Sequence, residues 1–118
     1  MSISTTRQEL ADALAGSGYS TYAYPKEVMF PPFITLVPSS PYISWRTPHR
    51  LNASYMLTLA VACNDNLAAL ENLEFMIESV IECIPAGVAT GSFSEPDTEE
   101  LNGITLLTTN IQLDVVVD

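Results

Sequence analysis

Residues able to act as acid, base or nucleophile are few in this sequence. The single histidine, His49, stands in the run Trp45-Arg46-Thr47-Pro48-His49-Arg50. Nucleophilic catalysis needs a base within hydrogen-bond reach of the nucleophile, and one histidine does not by itself indicate such a pair. No glycine-rich phosphate loop, Walker lysine, dinucleotide fingerprint or metal-spaced His/Cys set occurs. We therefore expect no enzymatic activity, no cofactor and no metal.

The carboxylates of the polar segment Glu95–Glu100 are the next candidates for chemistry. A catalytic carboxylate needs burial or a partner that tunes its pKa, so a solvated acidic loop is the preferred interpretation. The two cysteines, Cys63 and Cys83, are 20 residues apart and lack the spacing of zinc ligands. We expect two small buried hydrophobic side chains and no disulfide.

Acidic residues also follow one edge of a predicted second helix. This edge comprises Glu71, Glu74, Glu78 and Glu82, with Phe75 among them. It lies about a quarter-turn from a predicted core stripe of Leu70, Leu73, Ile77 and Ile81. No lysine or arginine occurs between Asn52 and Asp118 to neutralise it. The edge is either a solvated face, or a surface that meets a basic neighbouring subunit or lines a channel repelling a polyanion.

The segment from Trp45 to Arg50 combines the only tryptophan and the only histidine with two of the four basic residues. Tryptophan and arginine are enriched at binding hot spots, so an exposed turn carrying both is a candidate contact point. Its candidate residues are Trp45, Arg46, His49 and Arg50. The alternative is a tryptophan that anchors the turn to the core.

Composition limits the function classes. The chain has 118 residues, enough for one domain with one core. Its 14 acidic and 4 basic residues give a charge of −10, which disfavours gripping nucleic acid or an anionic membrane. The longest largely apolar stretch, Tyr55 to Cys63, is too short to span a bilayer. The polar start, Met1 to Glu9, does not resemble a signal peptide, so we expect cytoplasmic synthesis.

Periodicity and turn residues predict the elements that hold these segments. We expect an α+β domain, a mainly antiparallel sheet with two helices packed on one face. The predicted helices are Thr6–Ala15, with Thr6 and Glu9 as a capping box, and one capped by Asn64 or Asp65 and closed by Pro85. The predicted strands are Tyr19–Tyr24, Phe33–Val37, Tyr42–Arg46, Leu51–Cys63, a weak strand Val88–Phe93, and Ile104–Val117.

Two of these strands are long for so small a domain. Thirteen or fourteen extended residues span roughly 43–46 Å, whereas a chain of this size has a radius of gyration of about 13–14 Å. One interpretation is that the strands overhang the body and pair with another subunit. The other is that each contains a bulge or kink and stays within the domain.

The order of elements resembles the tail terminator proteins of long-tailed bacteriophages, a family united by fold and element order. The matching pieces are Thr6–Gly16, the Pro-flanked strand Pro31–Pro38, Pro41-Tyr42, Leu51–Cys63, Leu67–Ile84 and Ile104–Val117. Together they cover nearly the full length of the chain.

The resemblance implies a virion protein of the tail neck, assembled in the host cytoplasm. Such proteins form a ring, typically of six copies, that caps the head-proximal end of the tail tube, ends its polymerisation and offers a docking surface to the head. The implied partners are the chain itself, the tail tube protein and a head–tail connector, with DNA as passing cargo. The alternatives are another neck protein, such as a connector or tail completion protein, or an acidic DNA-mimic inhibitor.

Overall fold

One sheet with helices on one face forms the protein. The computed structural model describes residues 3–23, 30–48, 50–101 and 103–117, without the Arg46 side chain. The elements are α1 (Ile3–Ala15), β1 (Ser20–Tyr22), β2 (Phe33–Thr47), β3 (Arg50–Ala62), α2 (Asn66–Cys83), β4 (Ala89–Thr90), β5 (Asp97–Leu101) and β6 (Ile104–Val117). The strand order is β1-β2-β3-β6-β4, and β5 also pairs with β6. All these pairings are antiparallel except β1 with β2, which confirms the predicted α+β class.

The core lies between the helices and one face of the sheet. Strict alternation along β3 buries Ala53, Tyr55, Leu57, Leu59 and Val61 on this face, as predicted. The helices cover them with a set of buried residues comprising Leu10, Ala11, Leu14, Ala69, Leu73, Met76 and Val80. Each fully buried large aliphatic side chain contributes about 1.5–3 kcal/mol. The opposite sheet face carries no described helix and is called the open face below.

The central strand does not overhang the body. β3 pairs with β6 from Leu51 to Ala62 and with β2 on its other side, so both of its edges are occupied. The long strands fit because the protein is elongated, with extents of 50 × 27 × 23 Å. The overhang interpretation is therefore wrong for β3.

β2 is one strand where two were predicted. Phe33–Val37 and Tyr42–Arg46 join across a register shift between Pro38 and Ile43, where four residues of β2 oppose only Ser54 of β3. Pro41 lies inside this bulge, which lets β2 carry a proline without breaking the pairing. β1 covers only Phe33–Thr35, so the described part of the chain leaves the outer edge of β2 unpaired beyond this point.

The predicted acidic loop is partly a strand. Residues Asp97–Leu101 form β5, which pairs with Thr108–Ile104 of β6 and remains largely exposed. The loop prediction failed because β5 lacks apolar alternation and owes its extended form to the free edge of β6. Gly103 in the turn has φ +80°, a left-handed conformation that favours glycine. The weak strand predicted over Val88–Phe93 is reduced to Ala89–Thr90.

The helix ends also differ from prediction. α1 begins at Ile3, so Thr6 lies inside the helix and is not its N-cap. Asp65 caps α2 as predicted, accepting a hydrogen bond of 3.3 Å from the backbone N–H of Leu67, and Pro85 follows the C-cap Ile84. The strand predicted at Tyr19–Tyr24 is Ser20–Tyr22, and Tyr24 lies outside the described residues.

Two remaining expectations concern the cysteines and the membrane. Cys63 and Cys83 are free thiols, as expected, but both are half-buried and not fully enclosed. Among the described residues, no helix is both long enough and apolar enough to cross a membrane.

Candidate interaction surfaces

The glutamates of α2 lie on the side of the helix opposite the core. Glu71, Glu74, Glu78 and Glu82 are all exposed. The buried residues are Ala69, Leu73, Met76 and Val80, whereas Leu70 and Ile81 of the predicted core stripe are 37% and 52% exposed. At about 100° per residue, this places the centre of the glutamate row about half a turn from the core face. The predicted core stripe was misplaced: Ala69 and Met76 lie at the centre of the buried face, whereas Ile77 lies at its edge and is only half-buried.

These four carboxylates repel one another without compensation. Neighbours in the row are three or four residues apart, a spacing at which each like-charged pair costs about 0.2–0.5 kcal/mol. No ion pair joins any of them to another described residue. The macrodipole adds a further small penalty near Glu82, in the last turn. The row is therefore a surface on which positive charge from another molecule would be favourable.

Apolar side chains flank the glutamate row on both sides. The large exposed hydrophobic residues of the described chain are Phe30, Trp45, Leu67, Leu70, Phe75 and Ile81, and four of these six belong to α2. Phe75 is 65% exposed and lies one helical turn from both Glu71 and Glu78. At about 100° per residue, Leu70 and Ile81 lie on the other flank of the row. Of the four on α2, Phe75 was a surface candidate from the sequence, whereas Leu70 and Ile81 were assigned to the core.

Phe75 borders a groove at one end of the sheet, called the Phe75 groove here. Its volume is about 390 Å³, and it runs between the first half of α2, the end of β3 and the segment before β2. Its apolar lining consists of Tyr19, Pro32, Val61, Ala62, Ala68, Ala69 and Phe75. Asn64, Asp65 and Asn72 supply polar groups. The groove therefore has apolar walls and lies next to acidic side chains.

The turn between β2 and β3, called the Trp45 tip (Trp45 to Arg50), lies at the other end of the sheet. Trp45 pairs opposite Leu51 and is 73% exposed, so it does not anchor the turn to the core. Arg50 is exposed as well. His49 and the side chain of Arg46 lie outside the described residues, so only their places in the sequence are known. The interpretation of Trp45 as a buried anchor is excluded.

The two surfaces are far apart on one chain. Trp45 lies beside Leu51, whereas the Phe75 groove is lined by Val61. Ten residues of extended strand separate Leu51 from Val61, a distance of about 33 Å. The sequence-predicted candidates therefore form two surfaces and not one site.

A second groove, of about 600 Å³, lies near the Trp45 tip. It is lined by α1, the segment after α2 and the end of β6, and the charged residues among its described lining are Glu9 and Arg50. No histidine or cysteine is among the lining residues that the structure describes. Within the described ranges, no group of three or more His, Cys, Asp or Glu side chains is placed to hold a metal ion.

The open face of the sheet carries a polar row in its middle. The Ser54 hydroxyl donates to the Asp114 carboxylate at 2.5 Å, and the Thr58 hydroxyl donates to the Asn110 side-chain oxygen at 2.6 Å. These hydrogen bonds cross from β3 to β6 and pair the polar side chains on the face that the helices do not cover. They stabilise the central pairing of the sheet.

Two buried side-chain atoms lack a hydrogen-bond partner among the described residues. Tyr55 is fully buried, and its hydroxyl has no hydrogen-bond partner among the described residues. The ring of Tyr42 packs edge-on against the ring of Tyr55, with the ring centroids 5.7 Å apart. Like the Tyr55 hydroxyl, the Arg7 Nε atom is buried without a hydrogen-bond partner in the described structure. Burial raises the pKa of Tyr55, with the neighbouring Tyr42 as a second cause.

No model of a known protein family and no curated protein matches this chain.

Proposed function

We propose that this protein is a structural subunit of a phage tail, forming a ring at the head-proximal end of the tail tube. In this role it ends tube polymerisation and presents the head-docking surface. The observation that carries the proposal is the row of four exposed glutamates along the outer side of α2, without a basic partner on their own helix. An enzyme active site would instead need its carboxylates enclosed and tuned.

The charge pattern suits a passage for DNA. The chain carries −10, and a ring of six copies carries six times this charge. A negative wall repels phosphate, so DNA passes without adhering. Glu74 lies on the flank of the row away from Phe75 and, with Glu78, is the part of the row assigned to this wall.

Ring formation also gives a physical reason for an end to polymerisation. A head-to-tail ring has two unlike faces, so one face can match the tube while the other does not. The elongated body and the order of its helices and strands support this proposal through the family resemblance. The connector, the tube protein and further copies of the chain are the proposed partners.

The decisive experiment measures tails made without this protein. Tubes of irregular, excessive length are the expected result, with normal lengths restored by supplying the protein in trans. Tubes of normal, uniform length would refute the terminator role. If such tubes nevertheless fail to join heads, the protein is a connector or tail completion protein. A persistent monomer that binds a basic DNA-binding protein tightly would identify an acidic DNA mimic.

The channel wall has its own test. Replacing Glu74 and Glu78 together by glutamine removes charge with little change in size. We expect tails of normal length but reduced DNA delivery by intact particles. Unchanged delivery would show that this part of the row is only a solvated face.

A further inference from the structure

We propose that the Trp45 tip of one copy docks into the Phe75 groove of a second copy. This inference rests on the proposed function, because it takes the second copy from the ring, and it identifies the two surfaces that join neighbouring subunits. Both surfaces are exposed in the isolated chain. The tip carries an aromatic side chain and basic residues, and the groove offers apolar walls and acidic residues.

The first argument is the fit between an exposed aromatic side chain and an apolar groove. Trp45 is 73% exposed, and a tryptophan side chain can bury about 150–250 Å² when enclosed. The groove of about 390 Å³ is walled by Tyr19, Pro32 and Phe75, and two of these three are aromatic. Aromatic anchors in well-packed pockets carry most of the binding energy of protein interfaces. Trp45 and Phe75 would thus be the central contacts.

The second argument is charge complementarity. Asp65 lies in the groove, and Glu71 lies one helical turn before Phe75 on α2. The tip supplies Arg46 and Arg50, two of only four basic residues in the chain. The 14 acidic residues make most other contacts between two copies repulsive, so this pairing is selected by charge as well as by shape.

The third argument is distance. About 33 Å of strand separate the tip from the groove on the same chain, so the tip cannot fill its own groove. The contact must form between copies. Because tip and groove are different surfaces, the contact is heterologous, and repeated head-to-tail contacts close into a ring when the rotation between copies permits.

Cysteine crosslinking tests the contact directly. In a background with Cys63 and Cys83 replaced by alanine, Thr47→Cys protein is mixed with Asn72→Cys protein under mild oxidation. Thr47 is in the tip and Asn72 is in the groove, so Trp45 and Phe75 remain in place. We expect a mixed disulfide dimer to form at least roughly tenfold faster than with Gln112→Cys, an exposed control on the open face.

Two matched comparisons accompany the crosslink. Trp45→Ala in the Thr47→Cys protein should slow crosslinking roughly tenfold or more, the loss typical of a hot spot. Glu71→Lys, beside Phe75, should weaken self-association measured by sedimentation velocity. Glu74→Lys makes the same charge change on the far flank and should weaken it less. All these positions are exposed, so the variants should fold normally.

The outcomes separate this contact from the proposed function. Crosslinking no faster than the Gln112 control overturns the contact, as does Trp45→Ala protein that crosslinks like its parent. If rings and normal tail lengths are still observed, the ring uses other surfaces and the terminator role stands. If the crosslink forms but tail length does not depend on the protein, the contact stands and the terminator role falls.

Discussion

Replacing Tyr55 by phenylalanine should stabilise the protein. The hydroxyl of Tyr55 is fully buried and has no hydrogen-bond partner among the described residues, so the folded state bears the cost of removing it from water. That cost is about 1–3 kcal/mol for a buried unsatisfied group. Phenylalanine keeps the ring, its edge-on contact with Tyr42 and the packing of the core. We take a gain of about 1 kcal/mol, the lower end of this range.

This gain translates into a measurable shift. With an unfolding entropy of about 2.1 cal/mol/K per residue, a chain of 118 residues gains about 4 °C in Tm for each 1 kcal/mol. Thermal unfolding followed by circular dichroism resolves such a shift. Tyr42→Phe is the matched control, since its half-buried ring loses a hydroxyl in the same cluster, and it should change stability by less than about 0.5 kcal/mol.

The buried phenol of Tyr55 also predicts that the stability of the protein falls at alkaline pH. Burial raises the pKa of Tyr55 above its ordinary value of 10.0, so the unfolded chain releases this proton before the folded protein does. Its contribution to stability is complete below about pH 10 and is lost as the pH rises towards the folded-state pKa. The loss approaches about 1.4 kcal/mol per pH unit. Wild type should therefore lose stability above pH 10 more steeply than Tyr55→Phe.

Two results would refute this reasoning. A fall in Tm for Tyr55→Phe would mean that the hydroxyl has a partner in the folded protein, with the hydroxyl of the neighbouring Tyr42 as the first candidate. If the free energy of unfolding falls with pH in parallel for wild type and Tyr55→Phe above pH 10, the phenol of Tyr55 has the same pKa in the folded and unfolded states. Urea unfolding at a series of pH values measures both quantities on the same samples.

Three further predictions concern stability and are tested by urea unfolding. Leu73→Ala should cost about 2–5 kcal/mol because Leu73 is fully buried, whereas Leu70→Ala should cost less than about 1 kcal/mol; equal costs would contradict the assigned core face of α2. Asp114→Ala should cost about 1.5–3 kcal/mol, because it leaves the buried hydroxyl of Ser54 without its charged acceptor; a neutral result would contradict that bond. Gly103→Ala should cost about 1 kcal/mol because of the positive φ, and unchanged stability would argue against the left-handed turn.

The strongly periodic elements were predictable from the sequence. β6 has the predicted bounds, Ile104–Val117, and β3 is displaced by one residue, because each is a long strand with one buried face. β5 was missed because its residues carry no periodic signal. The sequence Asn102-Gly103 between β5 and β6 is a strong hairpin signal and would have indicated the turn.

The candidate surfaces were predictable only in part. The exposure of the glutamates follows from residue type and position on the helix, whereas the sequence left Trp45 open between an exposed contact and a buried anchor. The core face of α2 was misplaced because the helix is apolar over more of its circumference than the sheet covers, so periodicity alone left two choices. The Phe75 groove was beyond sequence reasoning, since Tyr19, Pro32 and Val61 come from three separate parts of the chain and meet only in the folded sheet.

The central position of β3 has a consequence for how the chain folds during synthesis. Its β6 partners lie 44 to 66 positions further along, from Ala62 with Leu106 to Leu51 with Val117. The ribosome therefore releases β3 well before the strand that covers its second edge. Contacts of such long sequence separation form slowly, and an apolar strand edge left open in the meantime can join a neighbouring nascent chain. We expect the yield of folded protein to depend on chaperones that shield β3 until β6 has emerged.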